Sequence, residues 1–223
     1  MATATTLAAK PVIKVAALCG SLRKGSYNLG LLRSAIELSK GSVEGLQIEH
    51  VDISPLPFLN TDLEVQGTYP PAVEAFRAKI QEADGVLFAS PEYNYSVTGP
   101  LKNAIDWASR PPNVWAGKAA AIVSAGGGFG GGRAQYHLRQ IGVALNLHFI
   151  NGPEFFLKAF QPPAKFDGDG NLIDEAAKQK LKENNDGDHE DVELDHGFAR
   201  LFKATKAAEE KGYGVLVNSF YEL

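Results

Sequence analysis

A run of hydroxyl, amide and cationic side chains, GSLRKGSYN (residues 20–28), is the first stretch of the chain that could do chemistry. It offers the hydroxyls of Ser21 and Ser26, the amide of Asn28 and the guanidinium of Arg23. With the free N–H groups at the start of a following helix, these groups suit a phosphate dianion, because the helix dipole favours negative charge there. The alternative is a simple helix cap by Ser26. We favour phosphate binding and name residues 20–28 the phosphate loop.

A second candidate stretch, PEYNYSVTGP (residues 91–100), combines aromatic rings with amide donors and acceptors. A planar heteroaromatic ligand needs both, since its faces require stacking surface and its edges require hydrogen-bonding partners. The alternative is a proline-bounded turn in which Tyr93 and Tyr95 serve only for packing. The phosphate loop upstream favours ligand binding, and we name residues 91–100 the aromatic loop.

A third stretch, SAGGGFGGGR (residues 124–133), is rich in glycine and precedes a predicted helix. Successive glycine amides can approach a ligand closely and donate to a negative oxygen. A flexible linker is the alternative. We name residues 124–133 the glycine loop. Its Gly126, Gly128 and Gly131 spell G-x-G-x-x-G, but a lone match in a glycine-rich stretch after the fourth strand is weak evidence for a dinucleotide site.

Nucleotide hydrolysis is excluded by the same residues. Gly20 and Gly25 have the spacing of a phosphate-binding P-loop, but Ser26 occupies the position of the required lysine. The third predicted strand ends in Ser90 and not in an aspartate. A Rossmann fingerprint is also missing, because no third glycine precedes the first helix.

Short apolar runs alternate with segments of helical spacing and predict the elements that position these loops. The predicted strands cover residues 12–18, 46–52, 85–90, 118–124 and 148–150, and helical spacing marks residues 29–36, 72–83, 101–108 and 134–145. This alternation predicts an α/β fold with a doubly wound parallel five-stranded sheet. A barrel would need about 250 residues. In such sheets ligands bind at the carboxyl ends of strands, where all three loops lie.

Composition narrows the function class. The 223 residues carry a formal net charge of −4, which gives no basic face for nucleic acid. The chain lacks the long apolar run of a membrane span, and its first residues do not resemble a secretory signal, so we expect a cytoplasmic protein with a disordered N-terminus at residues 1–11. Cys19 is the single cysteine and is expected to pack in the core.

The three loops together resemble a known family. GSLRKGSYN, PEYNYSVTGPLKNAIDWASRP and GGGFGGGRAQYHLRQIG resemble, in order and spacing, the motifs of the NADPH-dependent FMN reductase family, and in particular its plant NAD(P)H:quinone oxidoreductase branch. The resemblance extends over residues 11–183. It implies a flavodoxin-like sheet of order 2-1-3-4-5 in a reductase domain of residues 12–183, with FMN as cofactor, NADPH or NADH as electron donor, quinones as acceptors, and a homodimer or homotetramer.

The resemblance also assigns residues. It implies that the cofactor contacts the following residues of the three loops: Ser21, Arg23, Ser26 and Asn28 for the phosphate, with Lys24 and Tyr27 as further cofactor contacts; Pro91, Glu92, Tyr93 and Asn94 for the isoalloxazine ring; and Ser124, Ala125 and Gly126 on its pyrimidine side. The flavin carries the chemistry, so we name no catalytic side chain and no metal site. Donor and acceptor would use the site in turn, which predicts ping-pong kinetics.

Two alternatives for function remain open. One is a non-enzymatic flavodoxin-like electron carrier or signalling flavoprotein. The other is the same chemistry with chromate, azo or arsenic compounds as acceptors.

Residues 184–223 form an atypical tail. The acidic stretch ENNDGDHED interrupts the family pattern, and residues 202–223 resemble a short segment of plant UDP-glycosyltransferases. Our hypothesis is a fused transcript or gene-model error, and a genuine divergent tail is the alternative.

Overall fold

Parallel strands alternate with helices along the chain. The computed structural model describes residues 12–40, 45–152 and 154–182. The strands are β1 Ile13–Cys19, β2 Leu46–His50, β3 Gly85–Ala89, β4 Ala119–Gly126, β5 His148–Phe149 and β6 Phe155–Lys158. The helices are α1 Tyr27–Ser39, α2 Pro71–Glu82, α3 Gly99–Ser109, α4 Gly132–Leu145 and α5 Glu175–Lys182, with a 3-10 turn at Thr61–Leu63. The predictions for residues 1–11 and 184–223 lie outside the described residues.

The sheet has the order β2-β1-β3-β4-β5, and its strand pairs are parallel. This confirms the predicted doubly wound, flavodoxin-like α/β fold. From β1 the chain moves outward to β2 and then crosses to β3 on the other side of β1. The order therefore reverses between β1 and β3, and doubly wound sheets bind ligands at such a switch point.

The fifth position of the sheet differs from the prediction of a single short strand. Two strands share it: β5 pairs with the beginning of β4, where His148 lies opposite Ala119, and β6 pairs with its end, where Phe155 lies opposite Val123. Asn151 and Gly152, residue types that favour bends, separate the two strands. The fifth strand is thus interrupted, and its second half continues along the part of β4 that leads to the glycine loop.

Helices cover both faces of the sheet, because strands this apolar must be buried on both sides. On one face α1 and α5 pack with side chains such as Leu31 and Leu181. On the other, α2, α3 and α4 enclose a core that includes Phe88 and Trp115. Trp107 is also fully buried, so both tryptophans pack inside the protein. Within the described ranges no helix has the length and apolar character needed to span a membrane.

Hydroxyl side chains fix where two of the helices begin. Ser26 caps α1 by accepting from the backbone N–H of Leu29 at 3.3 Å, and Thr98 caps α3 by accepting from Leu101 at the same distance. Helix α4 has no such side chain, since its N-cap is Gly131 in the left-handed conformation, with φ 89°.

Candidate functional site

The three predicted loops meet at one edge of the sheet. They follow β1, β3 and β4, which are neighbours, so their starting points lie side by side. Thr98 at the end of the aromatic loop donates its hydroxyl to the carbonyl of Gly20 in the phosphate loop, at 2.6 Å. A Cβ at Gly20 would lie 2.7 Å from the Oγ of Ser90, so only glycine permits this approach.

The phosphate loop and the glycine loop are joined by Asn28. Its Nδ2 donates to the carbonyl of Ala125 and its Oδ1 accepts from the N–H of Ala125, both at 2.9 Å and both buried. The structure therefore gives Asn28 and Ala125, two of the predicted cofactor residues, a bracing role. Their direct contact with a cofactor remains a prediction.

The side chains of Ser26 and Cys19 are buried beneath the phosphate loop and contact each other. The Ser26 hydroxyl is buried and lies 3.8 Å from the Sγ of Cys19. Burial raises the pKa of the Cys19 thiol above its ordinary value. The thiol thus stays neutral and packs in the core, as the sequence predicts.

The phosphate loop has several groups that could bind an anion. The loop and the first turn of α1 present backbone N–H groups with no acceptor in the described part of the chain, those of Leu22, Lys24, Gly25, Tyr27 and Asn28. Orphan amides at a helix start are the usual ligands of a phosphate. Lys24 and Arg23 are exposed beside them, and Ser21 accepts from the amide of Arg23 at 3.3 Å, which leaves its hydroxyl proton free.

Two predicted phosphate-loop residues also serve packing. The guanidinium of Arg23 donates to the carbonyl of Gly25 and lies 5.5 Å from the centre of the Tyr27 ring. The Tyr27 ring stacks on Phe166, with 4.3 Å between ring centres. The side chain of Tyr27 therefore faces the protein, and any contact with the cofactor phosphate falls to its backbone N–H.

A supporting loop, residues 159–174, packs behind the phosphate loop. A Cβ at Gly170 would lie 2.6 Å from the carbonyl oxygen of Gly25, and a Cβ at Gly30 would collide with the carbonyl oxygen of Gly170. Both glycines are thus required by the close approach of two backbones. The supporting loop thus packs against both the phosphate loop and the first turn of α1.

The aromatic loop forms a tight hairpin. Tyr93 and Ser96 exchange backbone hydrogen bonds of 3.0 and 3.1 Å, and the two residues at the tip, Asn94 and Tyr95, have φ of 49° and 68°. The ring of Tyr93 is 51% exposed, and the tip residues are exposed as well. The hairpin therefore presents an aromatic surface and an exposed amide beside the phosphate loop, which are the groups that a planar heteroaromatic ring needs.

Pro91 and Glu92, at the base of the hairpin, contact other parts of the protein. The Pro91 carbonyl accepts from the Ser90 hydroxyl at 2.9 Å. The Glu92 carboxylate accepts from the backbone N–H of Arg133 at 3.0 Å and from its guanidinium at 2.9 Å. Contact of the Glu92 side chain with a cofactor ring is therefore a prediction that competes with this ion pair.

The glycine loop is fixed from inside and open on its outer side. The Ser124 hydroxyl donates to the carbonyl of Gly130 at 2.7 Å and accepts from the side chain of Gln135 at 2.8 Å. After the half-buried Gly126, Gly127 and Gly128 are exposed, and no atom of the described residues lies within 4 Å of a Cβ placed on either of them. Such open glycine backbone can approach and donate to the negative edge of a ring.

The residues present therefore fit FMN, with free amides for its phosphate, an aromatic hairpin for its ring system and open glycine backbone for the ring's polar edge. In the described ranges no three His, Cys, Asp or Glu side chains are grouped to hold a metal ion. The individual roles of Thr98 and Gln135 in this site were not predicted from the sequence. A threonine before Gly-Pro is a typical helix N-cap and could have been recognised, whereas a buried glutamine has no local sequence signal.

Comparisons with known proteins agree with this geometry. The profile of the NADPH-dependent FMN reductase family matches residues 13–161. The chain is 78% identical over 176 residues to the NAD(P)H:quinone oxidoreductase of Solanum tuberosum, covering 79% of this chain and 91% of that protein. It is 74% identical over 176 residues to the NADPH:quinone oxidoreductase of Arabidopsis thaliana, covering 79% of this chain and 90% of that protein.

A solved structure extends the likeness. The flavoenzyme NAD(P)H:(acceptor) oxidoreductase FerB of Paracoccus denitrificans superposes with a TM-score of 0.68 at 31% identity, over 89% of this chain and 98% of that one. Family profile, plant relatives and fold all agree with the three-loop site. The chain belongs to the NADPH-dependent FMN reductase family, and its high identity to the plant enzymes places it in their branch.

Proposed function

We propose that the chain is an FMN-dependent NAD(P)H:quinone oxidoreductase that reduces quinones to hydroquinones in two-electron steps. The observation that carries this proposal is the joining of the three loops at the switch point of the sheet, with orphan amides on the phosphate loop and an aromatic hairpin beside them. The plant relatives named as quinone oxidoreductases support the choice of acceptor.

Each loop has a distinct task in this proposal. The backbone amides of the phosphate loop, with Ser21, Arg23 and Lys24, hold the phosphate of FMN, while Tyr93 and Asn94 of the aromatic loop face the ring system. Glycine-loop amides donate to the pyrimidine side of the ring, where negative charge increases on reduction. When bound, FMN supplies the redox chemistry, taking hydride from NAD(P)H and passing two electrons to the quinone.

The open face of the site can receive the nicotinamide and the quinone only in turn. Steady-state rates measured over a grid of NADPH and quinone concentrations should therefore give the parallel double-reciprocal lines of a ping-pong mechanism. Intersecting lines, which indicate a ternary complex, would contradict shared use of one face.

The cofactor assignment is tested first on the purified protein and then on a double variant. Absorption bands at roughly 370 and 450 nm, released on denaturation as FMN, are expected for the holoprotein. R23A/S26A should lose most of its FMN, because it removes a cation and the buried N-cap hydroxyl of the phosphate loop. S109A/R110A, a matched pair at the far end of α3, should retain FMN. Full occupancy and activity in R23A/S26A would refute the phosphate site.

Quinone reduction must be separated from the other candidate functions. Direct NADPH oxidation by the FMN-loaded protein distinguishes a reductase from an electron carrier. Values of kcat/KM for a benzoquinone, chromate, an azo dye and arsenic compounds then rank the acceptors. The proposal requires the quinone to rank first.

The proposal also covers the oligomeric state of the protein and its location in the cell. We infer a cytoplasmic homodimer or homotetramer, which light scattering after size-exclusion chromatography and a fluorescent fusion would test.

We also propose that residues 12–183 form the reductase unit and that residues 184–223 are an addition to it. Mass spectrometry of native peptides that span residues 180–203 would show whether the two parts are joined in the cell.

A further inference from the structure

The N-terminus of helix α4 is capped by a side chain from another loop. Its own N-cap, Gly131, has no side chain to accept from the first-turn amides. The carboxylate of Glu92 in the aromatic loop takes that place, with Oε2 accepting from the backbone N–H of Arg133 at 3.0 Å. A negative group at this end of a helix is favoured by the helix dipole. The start of α4 and the base of the aromatic hairpin are therefore one unit.

The side chain of Arg133 extends this connection to the glycine loop. Its guanidinium donates to Oε1 of Glu92 at 2.9 Å, lies 4.1 Å from the centre of the Tyr95 ring and lies 4.8 Å from the centre of the Phe129 ring. Tyr95 is at the tip of the aromatic hairpin, and Phe129 is in the middle of the glycine loop. One guanidinium thus contacts the base and the tip of one loop and the centre of the other.

The backbone conformation of the hairpin requires surrounding contacts that stabilise it. Tyr95 has φ 68°, a left-handed conformation that bulky residues adopt rarely and only when their surroundings enforce it. One helical turn after Arg133, the Nδ1 of His137 lies 2.8 Å from the Oγ of Ser96, on the other arm of the hairpin. Side chains of α4 therefore attach the hairpin at both arms and at its tip.

We propose that Arg133 is a positioning residue for the proposed reaction. By holding the aromatic loop against the glycine loop, it fixes the spacing between the two surfaces that face the cofactor ring, and so fixes the ring relative to the incoming donor and acceptor. This role depends on the function proposed above, but the attachment of the hairpin to Arg133 can be tested without it.

Arg110 provides a matched control. It also forms an ion pair, donating from Nε and Nη2 of its guanidinium to the carboxylate of Glu64 at 2.5 and 3.0 Å. Arg133 differs in donating one bond from its guanidinium and one from its backbone N–H. Side-chain exposures are alike, 35% and 20% for Arg110 and Glu64 against 39% and 14% for Arg133 and Glu92. Arg110 follows the last turn of α3, which runs away from the three loops. R133M and R110M therefore each remove an ion pair, at opposite ends of the strands, and R110M removes the one with more side-chain hydrogen bonds.

The experiment compares the two variants as holoproteins. R133M should retain FMN, because the phosphate loop is unchanged, but turnover per bound FMN should fall about tenfold, since small displacements at a reacting centre have large effects on rate. The visible circular dichroism of the bound flavin should change, and hydrogen exchange at the amides of Tyr93 and Ser96 should accelerate. R110M should show none of these changes.

One set of results would refute the proposed role of Arg133. If R133M matches R110M in turnover per flavin, in circular dichroism and in amide exchange, Arg133 has no positioning role. The double variant E92Q/R133M should be no worse than R133M alone, because both changes break one connection, and additive losses would contradict this. If the wild-type protein binds no FMN, the proposed function fails, while unchanged hairpin exchange in R133M would separately overturn the hold by Arg133.

Discussion

Asn28 and Ala125 lie 97 residues apart in the chain and are joined by two buried hydrogen bonds of 2.9 Å. The asparagine side chain pairs with both backbone groups of Ala125 as a neighbouring strand would. The pair connects the start of α1 to the end of β4 across the edge of the sheet. Any ligand held between the phosphate loop and the glycine loop therefore binds to two surfaces whose spacing is already set.

Replacement of Asn28 by alanine should show what this connection contributes. N28A leaves the N–H and the carbonyl of Ala125 buried without partners, so we expect a loss of about 2–4 kcal/mol in the free energy of unfolding and weaker FMN binding. Urea denaturation and flavin titration measure the two effects. N103A is the control, because Asn103 also spans two backbone groups, of Leu59 and Pro57, but nearer to solvent. Equal losses in the two variants would contradict the importance of burial.

The contact between the supporting loop and α1 predicts a strong effect at Gly30. In G30A the added methyl group collides with the carbonyl of Gly170, so we expect a loss of about 1–3 kcal/mol in stability and a displaced phosphate loop with lower FMN affinity. G99A is the matched helical control, because a Cβ at Gly99 meets no atom within 4 Å. Thermal unfolding of both variants, with and without FMN, tests this expectation, and an unaffected G30A would contradict it.

The ion pair between Lys165 and Asp174 should make the supporting loop sensitive to acid. The Lys165 ammonium, 2.8 Å away, and the amide of Ala177 hold the pKa of Asp174 below its ordinary value. Because the folded pKa is the lower one, the stabilisation is complete above the unfolded pKa of about 4 and is lost as the pH falls through the folded pKa.

The variant D174N isolates this charge, since asparagine can still accept from Ala177 and cap α5. We expect its free energy of unfolding to depend less on pH than that of the wild type below about pH 5. Urea unfolding at a series of pH values measures the two slopes. Parallel curves for the two proteins would show that the carboxylate of Asp174 contributes no acid sensitivity.

The strands and the three loops could be predicted from sequence because their signals are local, whereas the order of the sheet was implied by the resemblance to the family. Apolar runs give the strands, glycines and prolines end them, and the motifs lie next to the strands that position them. Strand β6 was missed, because the turn residues Asn151 and Gly152 correctly end the predicted strand at residues 148–150. Nothing local in the sequence indicates that the chain returns to pair with the end of β4 at Phe155.

Contacts between distant residues could not be predicted in this way. Glu92 was assigned to the cofactor ring by resemblance, and nothing near it in sequence indicates that it caps a helix 41 residues away. Arg77 is a similar case, since a charged residue on a helix is usually solvated. It is 5% exposed and donates to the carbonyls of Trp107, Arg110 and Pro112, so that it fixes the end of α3. Such roles depend on tertiary packing.

The thiol beneath the phosphate loop can be used to measure how often the structure around that loop opens. Cys19 is the single cysteine of the chain and is 4% exposed below Ser26. Because Cys19 is buried, a maleimide or disulfide reagent should react with it only when the structure around Ser26 opens, so the labelling rate would report such opening. A phosphate-bearing ligand that closes the loop would slow labelling in proportion to its occupancy, and cofactor capture could be followed in time without any engineered dye site.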